Sequence, residues 1–141
     1  FFQPRILKNI KNDSGEVVLE NAPEVIRDLS EEVGEKAKEV RRAMRDAVRE
    51  SYGTANLLSD LPVLAAGKTG SAQVENNAKT NAFFVGYAPY DNPQISVLVL
   101  VENAREGSLN AVPVARDVLM WYYKNRLSKP MRTNELMRIY E

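Results

Sequence analysis

The chain contains neither cysteine nor histidine among its 141 residues. Without cysteine, it has no disulfide and no thiolate metal ligand. Without histidine, it cannot form a Ser-His-Asp or Cys-His catalytic arrangement, and the usual zinc sites are excluded too. Nucleophilic chemistry would therefore need lysine or a carboxylate as its general base. We expect no metal and no cofactor.

Excess charge and long apolar runs are also missing. The 19 basic and 19 acidic residues give a formal net charge of zero, which offers no electrostatic footprint for nucleic acid or for an anionic membrane surface. No run approaches the roughly 18 apolar residues that a membrane-spanning helix needs. The apolar share of 44% is ordinary for a globular protein. Because the sequence starts at Phe1 without methionine, we expect a piece of a longer chain.

The order of residue patterns predicts an α+β fold, with an antiparallel sheet flanked by helices. Apolar residues at spacings of three and four predict helices, and turn-forming clusters separate the β-rich stretches. Ser30 is a favourable N-cap, and Pro113 suits the first turn of a second helix. The predicted segments are a hairpin and loop (1–29), a helix (30–52), a three-stranded sheet (62–103), a C-terminal helix (111–127) and a tail (128–141).

Two elements have patterns that predict their burial. The first helix carries one apolar stripe, made of Val33, Ala37, Val40, Met44, Ala47 and Val48. Its opposite face carries Arg41, Arg42, Arg45 and Arg49. Carboxylates are interleaved with these arginines, which favours a solvated face over a basic binding patch. The strand from Ile95 to Val101 does not alternate between apolar and polar residues, and this predicts burial on both of its faces.

The most informative stretch is Ala66-Gly67-Lys68-Thr69-Gly70-Ser71-Ala72-Gln73. A phosphate-binding P-loop would need a glycine five residues before Gly67 and a helix after the lysine. Pro62 occupies that position, and residues 71–77 make a poor helix start. A strand that carries Lys68-Thr69-Gly70 instead matches the Lys-Thr-Gly box of serine acyl-transferases that react with penicillin.

This box suits an acyl group that ends in a carboxylate. Lys68 supplies a positive charge, and Thr69 and Ser71, two residues apart on a strand, point their hydroxyls to the same side. Together they can hold a carboxylate by charge-assisted and neutral hydrogen bonds. Gly70 lets a substrate backbone lie along the strand edge. The alternative is a plain strand edge that Lys68 protects against pairing.

The segments that flank the box extend this match. They are Glu50-Ser51-Tyr52-Gly53-Thr54-Ala55 before it, and Asn81 to Tyr90, Ile95 to Asn103 and Ala111 to Asp117 after it. In this order and at this spacing, the chain resembles the C-terminal part of the transpeptidase domain of class B penicillin-binding proteins. Within that class it is most similar to the cell-elongation type. The resemblance covers roughly Pro4 to Asn125.

The resemblance implies a β-lactamase-like transpeptidase domain and a peptidoglycan D,D-transpeptidase activity. It implies that Lys68, Thr69, Gly70 and Ser71 line the active site, with the backbone N–H of Ser71 as one of two oxyanion donors. The substrate would be a peptidoglycan stem peptide ending in D-Ala-D-Ala, which β-lactams mimic. Partners would be the upstream part of the same domain and cell-wall elongation proteins, with no nucleic acid.

The resemblance also implies a place in the bacterial cell envelope. The chain would belong to the periplasmic or extracytoplasmic domain of a membrane-anchored protein, with the anchor outside this chain.

Two motifs of that family are missing. No serine has a lysine three residues later, so the nucleophile motif Ser-x-x-Lys is absent. Ser108-Leu109-Asn110 has the Ser-x-Asn form, but it follows the box in a predicted loop, whereas the family motif precedes the box. The resemblance thus implies that the nucleophile and base lie upstream of Phe1, so this chain alone would be inactive.

Two other functions remain open at this point. The alternative to a transpeptidase is a β-lactam sensor or a catalytically silent homologue, which would use the same box. A hydrolytic β-lactamase fits less well, because the strand pair at 83–89 and 97–102 is more similar to transpeptidases.

Overall fold

The computed structural model describes residues 1–74, 76 and 78–128. The chain forms two compact units, one of residues 1–39 and one that begins at Val40. The elements are β1 (Asn9–Lys11), β2 (Val17–Glu20), α1 (Ser30–Arg49), β3 (Ala66–Val74), β4 (Lys79–Ala88), β5 (Ile95–Val101) and α2 (Val112–Tyr122). A 3₁₀ turn spans Asn56–Asp60, and π-helical turns span Gly107–Ala111 and Tyr123–Leu127. The architecture is α+β, as the sequence predicts.

The first unit contains an antiparallel hairpin, β1 against β2, followed by the start of α1. Ser30 opens the helix, but the capping carboxylate belongs to Asp28. Its Oδ1 accepts the Ser30 backbone N–H at 2.9 Å and the Ser30 hydroxyl as well. These hydrogen bonds lower the pKa of Asp28 below its ordinary value, because they favour the charged form.

The predicted apolar stripe of α1 is buried only near the end of the helix. Val48 is fully buried and Met44 and Ala47 are half-buried, whereas Val33 and Val40 expose 42% and 58% of their surface. Periodicity identifies the face that prefers burial. It does not identify what covers that face, and the described residues leave most of it open.

The second unit is built around a three-stranded antiparallel sheet in the order β3-β4-β5. Its core lies on one face, where Phe84 is fully buried and α2 contributes Ala115 and Leu119. The Phe84 ring leaves no room for side chains at Gly67 and Gly86. A Cβ would lie 2.3 Å from Phe84 Cζ at Gly67 and 2.6 Å at Gly86.

The described residues bury only one face of β5, so the cover predicted for its second face does not come from them. Val97 is 9% exposed on the core face, but Leu98 and Leu100 expose 71% and 45% of their surface on the outer face. Val85 of β4 adds a further exposed apolar side chain there, at 45%. The residues of β5 fit a strand covered on both sides, but the described residues provide cover mainly on one.

The chain after β5 differs from the prediction in one segment. Ser108-Leu109-Asn110, predicted as a loop, lies in the π-helical turn Gly107–Ala111. Pro113 occupies the first turn of α2. Apart from Ser128, the predicted tail lies outside the described residues. Among the described helices, none combines the length and apolar character needed to cross a bilayer.

Candidate functional site

The Lys-Thr-Gly box lies in the middle of β3, at the edge of the sheet. Lys68, Thr69, Gly70 and Ser71 all fall within this strand. β3 pairs with β4 on one side, and in the described part of the chain no strand pairs with its other side. An edge strand presents unpaired N–H and C=O groups, so an extended peptide can pair with it as an added strand.

The register of the sheet decides to which face each side chain of the box belongs. Thr69 lies opposite Phe84, and Ser71 lies opposite Ala82. Both partners are fully buried, so the two hydroxyls belong to the core face. Lys68 has the opposite parity and belongs to the outer face. The two hydroxyls therefore lie on the core face of the sheet, and the lysine side chain lies on the outer face.

Each hydroxyl of the box is engaged by a different neighbour. Thr69 Oγ1 donates to Thr54 Oγ1 at 2.8 Å. Ser71 Oγ accepts the backbone N–H of Gly107 at 3.3 Å. The two hydroxyls thus share a face of the sheet but have separate partners, one in the turn after α1 and one in the π-helical turn before α2.

Lys68 lies where two cavities meet the strand. Its Nζ donates to the Thr69 carbonyl oxygen at 2.5 Å. Lys68 and Thr54 both border a cavity of about 680 Å³. The other residues that line this cavity are Val40, Ala43, Met44, Asp46, Ala47, Tyr52, Gly53 and Val85. A cavity of about 190 Å³ on the outer face is bordered by Lys68, Thr69 and Gly70, together with side chains of β4 and β5. Ser71 lines neither cavity.

The backbone direction of β3 follows from the packing of Gly107. A Cβ at Gly107 would lie 2.5 Å from Phe83 O, 2.7 Å from Gly70 O and 3.0 Å from Gly70 N. Gly70 and Phe83 lie opposite each other in the sheet. Their backbone groups are this close to one point only if they face each other between the two strands, as in a hydrogen-bonded antiparallel pair. Backbone groups alternate in direction along a strand, so those of Thr69 and Ser71 point toward the unpaired edge. The Ser71 N–H therefore points away from β4, toward the unpaired edge of the sheet.

Two arginines hold the last part of α1 against the sheet. Arg41 Nε donates to Tyr87 Oη at 3.2 Å, and its guanidinium also donates to the Tyr90 carbonyl oxygen at 2.9 Å. Arg45 lies over the ring of Tyr90, 5.7 Å from its centroid. The hydrogen bond to Tyr87 is the main cause that raises the pKa of Arg41. Arg41 remains exposed, as predicted for a solvated face, whereas Arg45 is half-buried where it lies over the Tyr90 ring.

Thr54 and Gly107 contact the box, although no sequence pattern indicates these contacts. Thr54 follows Tyr52-Gly53 in a segment that carries the family resemblance, and this is the only signal for it. Gly107 lies in a segment that reads as an ordinary loop. Their roles depend on contacts 15 and 36 residues away along the chain, and no local pattern encodes such contacts.

Comparison with known proteins identifies the family. The model of the penicillin binding protein transpeptidase domain matches residues 1–120. The peptidoglycan D,D-transpeptidase MrdA of Haemophilus influenzae is 38% identical over 109 residues, which are 67% of this chain and 17% of that protein. The chain thus spans about a sixth of the length of this relative.

Solved structures agree with this assignment. Penicillin-binding protein 2 of Pseudomonas aeruginosa, in complex with WCK 5153, is 34% identical with a TM-score of 0.62, over 82% of this chain and 25% of that one. Penicillin-binding protein 2B of Streptococcus pneumoniae has a TM-score of 0.68 at 24% identity, over 92% of this chain and 23% of that one, and supports the fold alone.

These similarities confirm the predicted fold class and the predicted similarity to the elongation type. The family match runs through both compact units and most of the described residues. The chain belongs to the penicillin-binding protein transpeptidase domain family.

Proposed function

We propose that the complete protein is a peptidoglycan D,D-transpeptidase and that this chain supplies the Lys-Thr-Gly wall of its active site. The observation that carries the proposal is the position of the box on the open edge of β3, with the Ser71 N–H directed outward. The relatives named peptidoglycan D,D-transpeptidase support the reaction type. Because the chain spans a sixth of such a relative, the activity belongs to the longer protein.

In this proposal the box binds the D-Ala-D-Ala end of a stem peptide. The peptide backbone lies along the strand beside Gly70, where no Cβ obstructs it. The terminal carboxylate is held by Lys68 and by the Thr69 hydroxyl, which border the same cavity of about 190 Å³, and Ser71 contributes its backbone N–H. Charge-assisted hydrogen bonds to a carboxylate are about twice as strong as neutral ones, so Lys68 contributes most to affinity and the Thr69 hydroxyl fixes orientation.

The reaction then proceeds by acyl transfer. A serine in the upstream part of the domain gives its proton to a base there and attacks the carbonyl carbon between the two D-Ala residues. The oxyanion that forms accepts a hydrogen bond from the backbone N–H of Ser71. The C–N bond breaks, and the terminal D-Ala leaves with a proton on its amine. An amine of a neighbouring stem peptide takes the acyl group and restores the serine. With a β-lactam, the ring amide breaks and the product stays on the enzyme.

The partners and location follow from this substrate. The upstream part of the domain must lie close to Lys68 and Thr69 to place the nucleophile, and cell-wall elongation proteins are proposed partners of the complete protein. The stem peptides are outside the cytoplasmic membrane, so we propose an extracytoplasmic location in the bacterial cell envelope. A β-lactam sensor would use the same box, but it would form the acyl-enzyme without passing the acyl group to an amine.

The proposal is tested in the complete protein with Thr69→Val. Valine keeps the volume of threonine and removes the hydroxyl. We expect acylation by a penicillin to slow by about 1–3 kcal/mol, roughly 5- to 150-fold, because a donor to a charged group is lost. A penicillin ester lacks the carboxylate and should be much less sensitive. The measurement is the second-order acylation rate with acid and ester.

Thr80→Val is the matched control, because Thr80 is half-buried on β4, lies opposite Gln73 outside the box and borders neither cavity. We expect it to leave both rates unchanged. Lys68→Ala should slow acylation by both forms, since the lysine charge also helps to organise the proton network of the nucleophile. If Thr69→Val slows acid and ester equally, the hydroxyl is structural and the proposed carboxylate site is wrong.

We further expect the 141-residue chain alone to be inert toward penicillin, because it contains no Ser-x-x-Lys. After incubation with a labelled penicillin, intact mass measurement should show no covalent adduct. The complete protein, treated in parallel, should gain one acyl group. A stoichiometric adduct on any serine of this chain would contradict the proposal that the nucleophile lies elsewhere.

A further inference from the structure

We propose that Thr54 is a positioning residue that directs the Thr69 hydroxyl toward the substrate carboxylate. The inference rests on the proposed function of Thr69. Its starting point is the hydrogen bond between the two hydroxyls, in which Thr69 Oγ1 donates to Thr54 Oγ1 at 2.8 Å.

The chemistry of two hydroxyls makes this contact reversible. Each hydroxyl has one proton to donate and can accept two hydrogen bonds. A carboxylate only accepts, so Thr69 must turn its proton from Thr54 to the ligand in order to bind it. Thr54 can then rotate its own proton toward Thr69 Oγ1. No covalent bond changes, and the result is a chain in which Thr54 donates to Thr69 and Thr69 donates to the carboxylate. Hydrogen bonds in such a chain polarise and strengthen one another.

The turn after α1 holds Thr54 in place for this role. The Ala55 N–H donates to the Ala47 carbonyl at 2.9 Å. The Asn56 side-chain amide donates to the carbonyls of Val48 and Glu50, at 3.3 and 3.0 Å. A Cβ at Gly53 would lie 2.2 Å from the Ala47 carbonyl oxygen, so the turn requires glycine there. The last carbonyls of α1 therefore fix the residues on both sides of Thr54.

The surroundings of Thr54 are suited to an approaching carboxylate. Thr54 and Lys68 border the same cavity of about 680 Å³, and Thr54 is exposed while Thr69 is half-buried. A carboxylate drawn to the Lys68 ammonium thus arrives beside the hydroxyl pair. The pair already lies at hydrogen-bonding distance, so binding requires two hydroxyl rotations and no movement of the backbone.

The experiment uses the complete protein with Thr54→Val, Thr54→Ser, Thr69→Val and the double variant Thr54→Val/Thr69→Val. The readouts are the second-order acylation rates with a penicillin and with its ester, and the midpoint of thermal unfolding. We expect Thr54→Val to slow acylation by the acid about three- to tenfold and by the ester much less. Thr54→Ser should keep the rate, because it keeps the hydroxyl. In the Thr69→Val background, Thr54→Val should have little further effect on the acid.

The outcomes separate this inference from the proposed function. If Thr69→Val distinguishes acid from ester and Thr54→Val affects both alike or neither, Thr54 is structural and the inference is overturned while the proposed function stands. If Thr69→Val itself does not distinguish them, the proposed function fails and the inference fails with it. Should Thr54→Val fold poorly, Thr54→Ala removes the same hydroxyl without a branched side chain and is judged by the same comparison.

Discussion

At the scale of single residues, Gly107 shows how closely the chain packs around the box. Its N–H donates to Ser71 Oγ, and a Cβ there would lie 2.5 Å from Phe83 O. We expect Gly107→Ala to lower the free energy of unfolding by about 1–3 kcal/mol, because the turn must move away from β3. Urea unfolding of the chain measures this change, and the same variant should slow acylation in the complete protein.

Gly34→Ala is the matched control for this prediction. Gly34 lies within α1, and a Cβ there meets nothing within 4 Å. Alanine in a helix interior is more favourable than glycine by about 1 kcal/mol, so we expect a small gain in stability. Equal effects of the two substitutions would show that the space around Gly107 is not limiting.

Single residues also mark the limit of prediction from the sequence. Lys68, Thr69, Gly70 and Ser71 are recognisable because their chemistry is contained in four consecutive positions. The partner of the Thr69 hydroxyl is not recognisable, because Thr54 reaches it only through the turn after α1. The sequence thus predicts the groups of the candidate site, whereas their hydrogen-bond partners depend on the tertiary fold.

At the scale of elements, an ion pair ties α2 to the 3₁₀ turn Asn56–Asp60. Arg116 Nε donates to both carboxylate oxygens of Asp60, at 3.0 and 3.1 Å, and its Nη2 contacts Oδ2 as well. The hydrogen bond from Arg116 is the main cause that lowers the pKa of Asp60. The Asp60 carboxyl is exposed, so solvent screens the pair and its contribution to stability is modest.

The lowered pKa of Asp60 fixes the pH dependence of this contribution. A carboxyl whose pKa is lower in the folded state stabilises the fold above its unfolded pKa of roughly 3.9, and this stabilisation is lost as the pH falls through the folded value. We expect Asp60→Asn to lower the free energy of unfolding at pH 7. The difference from the parent chain should shrink progressively below about pH 4. Urea unfolding at several pH values measures it.

Asp117→Asn serves as the control for this pair. Asp117 is the neighbouring acid, 82% exposed and 3.8 Å from Arg116, so its removal should change stability little at any pH. A difference between Asp60→Asn and the parent chain that stays constant from pH 7 to below pH 4 would contradict the assignment of the shift to the Arg116 contact.

Elements were predicted best where local residues determine them. Pro113 fits the start of α2 because a helix leaves the first N–H groups unpaired in any case. The stripe of α1 and the double apolar character of β5 describe preferences for burial that other parts of a chain must satisfy. The described residues do not satisfy these preferences at Val33, Val40, Leu98 and Leu100, all of which are exposed.

At the scale of the whole molecule, the outer face of the sheet presents an apolar surface. Val85, Leu98 and Leu100 all expose at least 45% of their area there. We expect the 141-residue chain to self-associate and to bind a hydrophobic dye, because contiguous exposed apolar surface favours association. The double variant Leu98→Thr/Leu100→Thr keeps a high β propensity and should reduce both effects. Light scattering over a range of concentrations measures the association.

Ser96→Thr is the control, since Ser96 is an exposed residue of the same strand and its replacement adds little apolar area. It should leave association and dye binding unchanged. If the chain stays monomeric at high protein concentration and binds no hydrophobic dye, the expected self-association through the outer face is contradicted.

The packing of Phe84 has a consequence for how such sequences can diverge. Its ring fills the space that side chains at Gly67 and Gly86 would need. The size of the residue at each of these three positions therefore depends on the other two. We expect a protein that acquires alanine at position 67 to carry a smaller residue at 84, and one that keeps phenylalanine to keep both glycines. Gly67, which immediately precedes the box, is then retained because of the Phe84 ring and not because of a role in catalysis.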